Sequence, residues 1–252
     1  MAWLRKIPLV SKVASRTAPV AAVGEPPERP IDHVVTDWAE HWLPSIWHQV
    51  VQIHQSQFIH DEVIAQLRDG RPTGGHIFED EYHRIYVHAQ SMAIRRQCDD
   101  DKRTTCLRRL IGQVQEERRR LTRKWYVAWW VQEGLSEGTI LQGDEPFHAD
   151  LANDSFDKFA DAKKPNIVSG ARLDRDRSEL DEVAAKVIEL TNKHIAHLER
   201  GARVEMTYGE FDAAIEHLGE KLQQYQLFLG RSSMLSVAPV IQTDWLEPLR
   251  RP

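Results

Sequence analysis

The segment that decides the fold is residues 207–230, which read TYGEFDAAIEHLGEKLQQYQLFLG. Thr207 and Glu210 form a capping-box pattern, in which each side chain can accept a hydrogen bond from an amide at the start of a helix. Apolar residues then recur every three or four positions, which is the period of one face of an α-helix. We therefore predict a helix that begins after Thr207 and is ended by Gly230. Its apolar positions are Phe211, Ile215, Leu218, Leu222, Tyr225 and Leu229.

The same period predicts helices along most of the chain. The first starts at Val35, is kinked or restarted at Pro44, and continues toward Leu67. A third, long helix is predicted from about 104 to 132, and a fourth carries an apolar stripe from Leu180 to Leu198. The second helix has Arg96 on its predicted inner face, together with Phe78, Tyr82, Ile85, Ala89, Met92 and Ala93. We find no convincing strand, and the predicted fold is an all-α bundle of five or six helices.

The domain prediction follows from the prolines, the glycines and the charges. Residues 1–30 are basic and proline-rich and read as an arm outside the fold, although an organelle transit peptide is an alternative. Residues 31–252 form a single helical domain, with an irregular insertion near 134–170 that holds one short helix at about 154–162.

The composition limits the class of protein. Among the 252 residues, no apolar run approaches the roughly 20 residues that a membrane-spanning helix needs, which excludes such a protein. Cys98 and Cys106 are the only cysteines, too few for a disulfide framework, and a reducing cytoplasm is the expected location. No phosphate-binding glycine loop or dinucleotide motif appears, so no cofactor is predicted.

The net charge of −5 conceals a strong separation of charge. Residues 102–124 carry nine basic residues and two acids, whereas residues 133–220 carry 20 acids and 10 basic residues. Such a molecule can present a cationic face to a polyanion and an acidic face to a protein partner. The predicted nucleic-acid-binding residues are Arg118, Arg119, Arg120, Arg123 and Lys124.

Aromatic residues follow these cations directly. Trp125, Tyr126, Trp129 and Trp130 could stack on bases beside the charges that neutralise phosphates. The alternative is a solvated arginine face above a tryptophan-rich core, and the sequence leaves both open.

The best candidate for chemistry is residues 190–199, LTNKHIAHLE. At 100° per residue, His194 points inward and His197 lies at the edge of the apolar stripe. Imidazole titrates near neutral pH, which suits acid–base work, although two ordinary helix histidines are the alternative. No histidine pair has helical zinc spacing, since His41 and His48 are seven apart and His83 and His88 five apart, so no metal is predicted.

The string from Asn192 to His197, the capping box and the helix that ends in Tyr225 and Gly230 resemble the HEPN superfamily. The resemblance is strongest to its abortive-infection, Abi U-type branch and covers roughly residues 32–252. Further shared marks are Arg95-Arg96 with Asp99 through Lys102, and the terminal pairs Asp244-Trp245 and Arg251-Pro252.

This resemblance implies a helical bundle, commonly a homodimer, in a prokaryotic defence or toxin–antitoxin system. It implies a metal-independent ribonuclease site at the dimer cleft, with His197 as the acid or base and Asn192 as the polar residue. The family has an arginine before that polar residue, but this chain has Thr191, which supplies no cation. Arg96 could replace it in space. Either the chain acts on RNA with a rearranged motif, or it is an inactive helical interaction module or assembly subunit.

Overall fold

A computed structural model describes residues 29–69, 76–196, 205–232 and 237 of the chain, with residues 69, 76 and 194–196 described only in their backbone. These residues form seven helices and one small hairpin, which confirms the predicted all-α bundle. No helix among them is both long enough and apolar enough to cross a membrane.

Helix α1 runs through residues 31–69 and comprises Ile31–Asp37, a π-helical turn at Trp38–Trp42, and Leu43–Asp69. It is followed by α2 (His76–Gln97), α3 (Leu107–Glu117), α4 (Arg123–Ser136) and α5 (Glu145–Asp157). Strands β1 (Ala160–Asp161) and β2 (Lys164–Val168) pair antiparallel. Helix α6 runs through residues 170–196, as Gly170–Leu190 and a π-helical turn at Thr191–Ala196, and α7 is Tyr208–Gly230.

Helix α7 begins and ends close to where the sequence predicts. Both hydrogen bonds of the capping box form, between the Thr207 hydroxyl and the Glu210 amide and between the Glu210 carboxylate and the Thr207 amide. Every apolar position of the predicted stripe is buried. The helix includes Gly230, and the left-handed residue that follows it is Arg231, with φ of 54°.

Pro44 does not interrupt α1. The residue before it, Leu43, donates its amide to the carbonyl of Trp38, which is the wider spacing of a π-helical turn. Proline has no amide and its ring crowds the carbonyl four residues earlier, so a wider turn at this point lets the helix continue.

The predicted third helix is wrong as a single helix, because α3 and α4 are separate. Residues 118–120 form a turn, and Thr122 caps α4 by accepting a hydrogen bond from the amide of Trp125. Thr122 also forms a backbone bridge to Ile167 of β2, so the break belongs to the contact between α4 and the hairpin.

The region predicted as an irregular insertion is folded. It contains α5 and the hairpin, which corrects both the expected position of the helix and the absence of strands. Phe156, Phe159 and Val168 from this region are buried in the same core as α7. Phe159 stacks on Phe228 with ring centroids 4.2 Å apart.

Helix α2 presents the opposite face to that predicted. Phe78, Ile85, Ala89, Met92 and Arg96, expected inside, are exposed. The buried face instead combines apolar side chains such as Ile94 with two hydrogen-bonded glutamines, since Gln90 donates to the carbonyl of Ile53 and Gln97 to Gln49. Buried polar side chains are tolerated where they are hydrogen-bonded, so counting apolar residues selected the wrong side.

Candidate active site

The predicted catalytic residues are not assembled within the described chain. His197 lies outside the described residues. Asn192 is exposed on the π-helical turn of α6, and Arg96 is exposed near the C-terminal end of α2. Thr191, at the position where the family has an arginine, is buried and donates its hydroxyl hydrogen to the carbonyl of Val187 at 2.8 Å.

Arg96 is near the C-terminal end of α2. Asn192, on α6, lies beside a part of α2 that is closer to its N-terminal end. Lys186 of α6 binds Glu210 of α7, and Tyr208 of α7 hydrogen-bonds His83 of α2, so the last turns of α6 lie level with His83. Arg96 is about 20 Å farther along α2 at 1.5 Å per residue. Within one chain, therefore, Arg96 does not reach Asn192.

The five predicted nucleic-acid-binding cations have different surroundings. Arg119 and Lys124 are exposed. Arg118 packs against Gly170 at the start of α6. Arg120 binds Glu117 and the carbonyl of Arg29. Arg123 binds Asp157 and the carbonyl of Pro165.

The rings that follow these cations belong to the core. Tyr126, Trp129 and Trp130 are at most 7% exposed, and Trp125 is half-buried. Tyr126 donates its hydroxyl hydrogen to the carbonyl of Phe228 at 2.7 Å. Of the two alternatives left open by the sequence, the structure supports an arginine surface above a buried aromatic core.

A different group of side chains has the geometry of an acid–base site. His60 of α1 and His83 of α2 lie with Nε2 of the first 2.8 Å from Nδ1 of the second. Nδ1 of His60 is 3.0 Å from a carboxylate oxygen of Asp61, and the Tyr208 hydroxyl is 2.9 Å from Nδ1 of His83. We call Asp61, His60, His83 and Tyr208 the histidine relay.

Aromatic rings hold the relay in place. The His60 ring stacks on Tyr86 with centroids 3.8 Å apart and planes 12° apart, and Tyr82 and Tyr208 also lie parallel to it. The His60 side chain is 5% exposed and that of His83 is 20% exposed. The inner imidazole is therefore fixed by packing, while the outer one retains access to solvent.

The hydrogen bonds determine which nitrogen atoms carry protons. An ionised carboxylate only accepts, so Nδ1 of His60 carries a hydrogen that it donates to Asp61. In a neutral His60, Nε2 is then an acceptor, and we assign the hydrogen that it accepts to Nδ1 of His83, with the oxygen of the Tyr208 hydroxyl as the second acceptor at 2.9 Å from that nitrogen. A neutral His83 consequently has its lone pair on Nε2. We assign Nε2 of His83 as the proton acceptor of the relay.

Burial keeps both imidazoles neutral. Desolvation lowers the pKa of His60 and that of His83 below the ordinary value of 6.5. The positive charge of Arg68 lowers the pKa of His83 further. Near pH 7, both rings are therefore unprotonated, which is the state that a general base requires.

Charged side chains flank the accepting nitrogen. A carboxylate oxygen of Glu79 is 3.8 Å from Nε2 of His83 and 3.3 Å from Nε of Arg68. Glu79 is buried, whereas the Arg68 side chain is 63% exposed. A proton gained by His83 would be stabilised by Glu79, and Arg68 offers a cation to an anionic ligand at the surface.

Sequence reasoning missed the relay because its members are distant in sequence. His60 and His83 belong to different helices, and only the packing of α1 on α2 brings them together. The signal in the sequence is the number of histidines in α1 and α2, because a histidine pair between two helices has no fixed spacing along the chain. Among the described residues, no group of three or more His, Cys, Asp or Glu side chains is arranged to hold a metal ion.

No family model, curated protein or solved structure matches the chain.

Proposed function

We propose that this chain is a HEPN-like protein that binds RNA and cleaves it without a metal, with the histidine relay supplying the acid–base chemistry. The observation that carries the proposal is that His83, bonded to the buried His60 through Nδ1, has its Nε2 3.8 Å from the Glu79 carboxylate that also binds the exposed cation of Arg68. A base and a cation are the two groups that attack by the RNA 2′-hydroxyl requires.

In this reaction Nε2 of His83 takes the proton of the 2′-hydroxyl. The 2′ oxygen forms a bond to the adjacent phosphorus, and the bond from phosphorus to the 5′ oxygen breaks. The 5′ oxygen takes a proton from water, the hydroxide that remains takes the proton held by His83, and the products are a 2′,3′-cyclic phosphate and a 5′-hydroxyl. Arg68 stabilises the charge that develops on the phosphate, and Glu79 stabilises protonated His83.

The roles of His197 and Asn192 remain predictions within the same proposal. Asn192 is exposed on the π-helical turn, which packs against α2, the helix that carries His83. The exposed cations Arg119 and Lys124 would contribute to RNA affinity through contacts with phosphate.

The test is incubation of the full chain with tRNA or total cellular RNA in the presence of EDTA. We expect cleavage to leave cyclic phosphate ends, and to be lost in His83→Asn and strongly reduced in His60→Asn. The matched control is His33→Asn, an exposed histidine at the start of α1. The rate should rise with pH and level off below neutrality, because the pKa of His83 is lowered. Cleavage that survives His83→Asn would contradict the role of the relay, and cleavage that also survives His197→Ala would contradict the proposal as a whole.

A second function is favoured by Thr191. Its buried hydroxyl is bonded to Val187, so the position of the family's arginine holds no cation. We propose as the alternative that the chain is a catalytically inactive interaction module. Stable binding of RNA or of a protein, with no cleavage under any of these conditions, would support this alternative over the first proposal.

A further inference from the structure

The outward side of α5 is both apolar and acidic. Phe147 and Leu151 are 63% and 41% exposed, and Asp150 and Asp154 are also exposed. These residues recur at steps of three and four, so they share one side of the helix. Neither aspartate carboxylate has a hydrogen bond or an ion pair with a residue that the structure describes. Exposed apolar surface of this kind marks an interaction site. We call these four residues the α5 face.

The acids around this face have no basic neighbours in the sequence. Residues 125–157 contain seven Asp and Glu residues and no Lys or Arg. Two of these acids are bound from outside the stretch, Asp157 by Arg123 and Glu137 by Arg231. The α5 face itself keeps its negative charge. A ligand that complements this face carries positive charges between apolar side chains.

The first 24 residues of the chain have this composition. They contain four basic residues and no acid. They precede the residues that the structure describes, which begin at 29. Their cations are Arg5, Lys6, Lys12 and Arg16, and their apolar residues include Trp3, Leu4, Ile7, Leu9, Val10 and Val13. We call residues 1–24 the basic arm.

We propose that the basic arm docks on the α5 face of its own chain. Its cations pair with Asp150 and Asp154, and its apolar side chains cover Phe147 and Leu151. The charges of both surfaces are then neutralised, and the exposed apolar area is removed from water. This contact is separate from the histidine relay and does not depend on the RNA chemistry proposed above.

The described chain begins close to α5. The carboxylate of Asp32 accepts a hydrogen bond from Nε1 of Trp125 at 2.6 Å, so the start of α1 lies at the first turn of α4. In the same turn, the Tyr126 hydroxyl is 3.2 Å from the Ser155 hydroxyl of α5. The start of α1 therefore lies level with the C-terminal end of α5, where Asp154 is exposed.

The arm is long enough to cover the α5 face. Phe147 is seven residues from Asp154, which is about 10 Å along the helix. The 13 steps of chain from Arg29 back to Arg16 span up to about 40 Å when extended. All the basic residues of the arm can therefore reach the α5 face without any change in the described helices.

A second exposed apolar surface does not match the arm. Helix α2 exposes Ile85 and Met92, but the C-terminal end of that helix also exposes Arg95 and Arg96. Charges of the same sign oppose the docking of a basic segment there. The sign of the charge therefore selects α5.

The first experiment locates the arm by chemical cross-linking. A carbodiimide joins an amine to a carboxylate in direct contact, without a spacer. It is added to the full chain, made as an equal mixture of isotope-labelled and unlabelled protein, and mass spectrometry of the digested product locates the amide bonds. We expect bonds from Lys6 or Lys12 to Asp150 or Asp154, between segments with the same label, because the contact lies within one chain.

Tryptic cleavage after Lys6 and Lys12 gives an independent measurement. Trypsin cuts the undocked arm, so the rate follows the undocked population. Phe147→Ser with Asp150→Lys should raise this rate roughly fivefold or more, because it removes an aromatic anchor and reverses a charge. The matched control is Ile85→Ser with Glu182→Lys, which makes the same kinds of change at exposed residues of α2 and α6 and should leave the rate unchanged.

Circular dichroism at 222 nm confirms that each variant is folded. Bonds that join a labelled chain to an unlabelled one would assign the α5 face to the arm of a second copy. Bonds from the arm to other carboxylates only, the absence of any bond, or equal tryptic rates in the α5 variant and the wild type would leave the face to a separate basic partner. Each of these results would overturn the proposal.

Discussion

The properties of His83 depend on the groups to which its neighbour is bonded. Asp61 fixes the hydrogen on Nδ1 of His60, and this orients the hydrogen on His83, so that Nε2 is left as an acceptor. The tautomer of His83 thus depends on the carboxylate of Asp61, which His83 does not contact. A residue-by-residue reading of α2 does not detect this arrangement, because His83 has an ordinary helical position and only its contact with α1 gives it a defined tautomer.

We predict that the relay makes stability depend on pH. The pKa values of His60 and His83 in the folded chain lie below 6.5, so below about pH 6.5 the unfolded chain binds more protons. The free energy of unfolding should therefore fall as the pH decreases from 7.5 to 5.0. Urea denaturation at both pH values measures it.

The control for this prediction is the difference between two variants. His60→Phe retains a ring against Tyr86 but removes the titration, so its stability should change less between the two pH values than that of the wild type. His48→Phe alters an exposed histidine on the same helix and should leave the pH dependence unchanged. Equal pH dependence in His60→Phe and the wild type would show that the relay does not titrate as described.

Among the helices, α6 and α7 are joined by a buried ion pair. Nζ of Lys221 is 2.6 Å from Asp176, and the Tyr225 hydroxyl donates to the other oxygen of that carboxylate at 3.0 Å. Asp176 and Lys221 are both buried. Nζ of Lys221 is also 2.6 Å from the partly exposed carboxylate of Glu179, so removal of Asp176 leaves the lysine with one of its two carboxylates and still costs more than replacement of both charges.

We therefore predict that Asp176→Ala lowers the free energy of unfolding by about 1.5–3 kcal/mol, since Lys221 and Tyr225 each lose a bond to a charged group while Lys221 keeps Glu179. The double variant Asp176→Leu with Lys221→Met replaces both charges by apolar groups and should be clearly more stable than the single variant. Chemical denaturation of the three proteins checks this. A double variant that is less stable than Asp176→Ala would mean that the ion pair stabilises the fold in a way that apolar side chains do not replace.

At the start of α4, two adjacent cations differ in their contribution to the stability of the fold. Arg123 holds α5 and the hairpin through Asp157 and the carbonyl of Pro165, whereas Lys124 is exposed. We predict that Arg123→Ala lowers the free energy of unfolding by about 1.5–3 kcal/mol, while Lys124→Ala changes it by less than about 0.5 kcal/mol. Thermal and urea denaturation measure both. Equal losses of stability in the two variants would contradict the structural role of Arg123.

The helices show which features of the fold can be predicted from the sequence alone. The period of apolar residues predicts α7 and most of α1, because each stripe faces the core. It fails on α2, where the buried side is satisfied by hydrogen bonds from Gln90 and Gln97. It also fails at residues 118–122, where the apolar period continues but the contact of Thr122 with β2 ends the helix. In both places the deciding partner comes from a distant part of the sequence.

At the scale of the whole molecule, the segment from α5 to β2 is part of the same core as the helices that precede and follow it. Phe156 and Phe159 pack with Tyr126 of α4 and Phe228 of α7, and the Tyr126 hydroxyl is bonded to the Phe228 carbonyl. This packing uses part of the positive charge of residues 102–124. Arg123 binds Asp157 and is therefore not free to bind a polyanion.

We predict that this shared core makes the helical part of the chain unfold in one cooperative step. Phe159 is 2% exposed, and Phe159→Ala should cost about 3–5 kcal/mol. For a chain of this size, that corresponds to a fall in Tm of roughly 10 °C. Because the ring lies between the hairpin and α7, the fall should be the same whether unfolding is followed by tryptophan fluorescence or by circular dichroism at 222 nm. A transition that moves in one signal but not in the other would show that the segment from α5 to β2 unfolds separately.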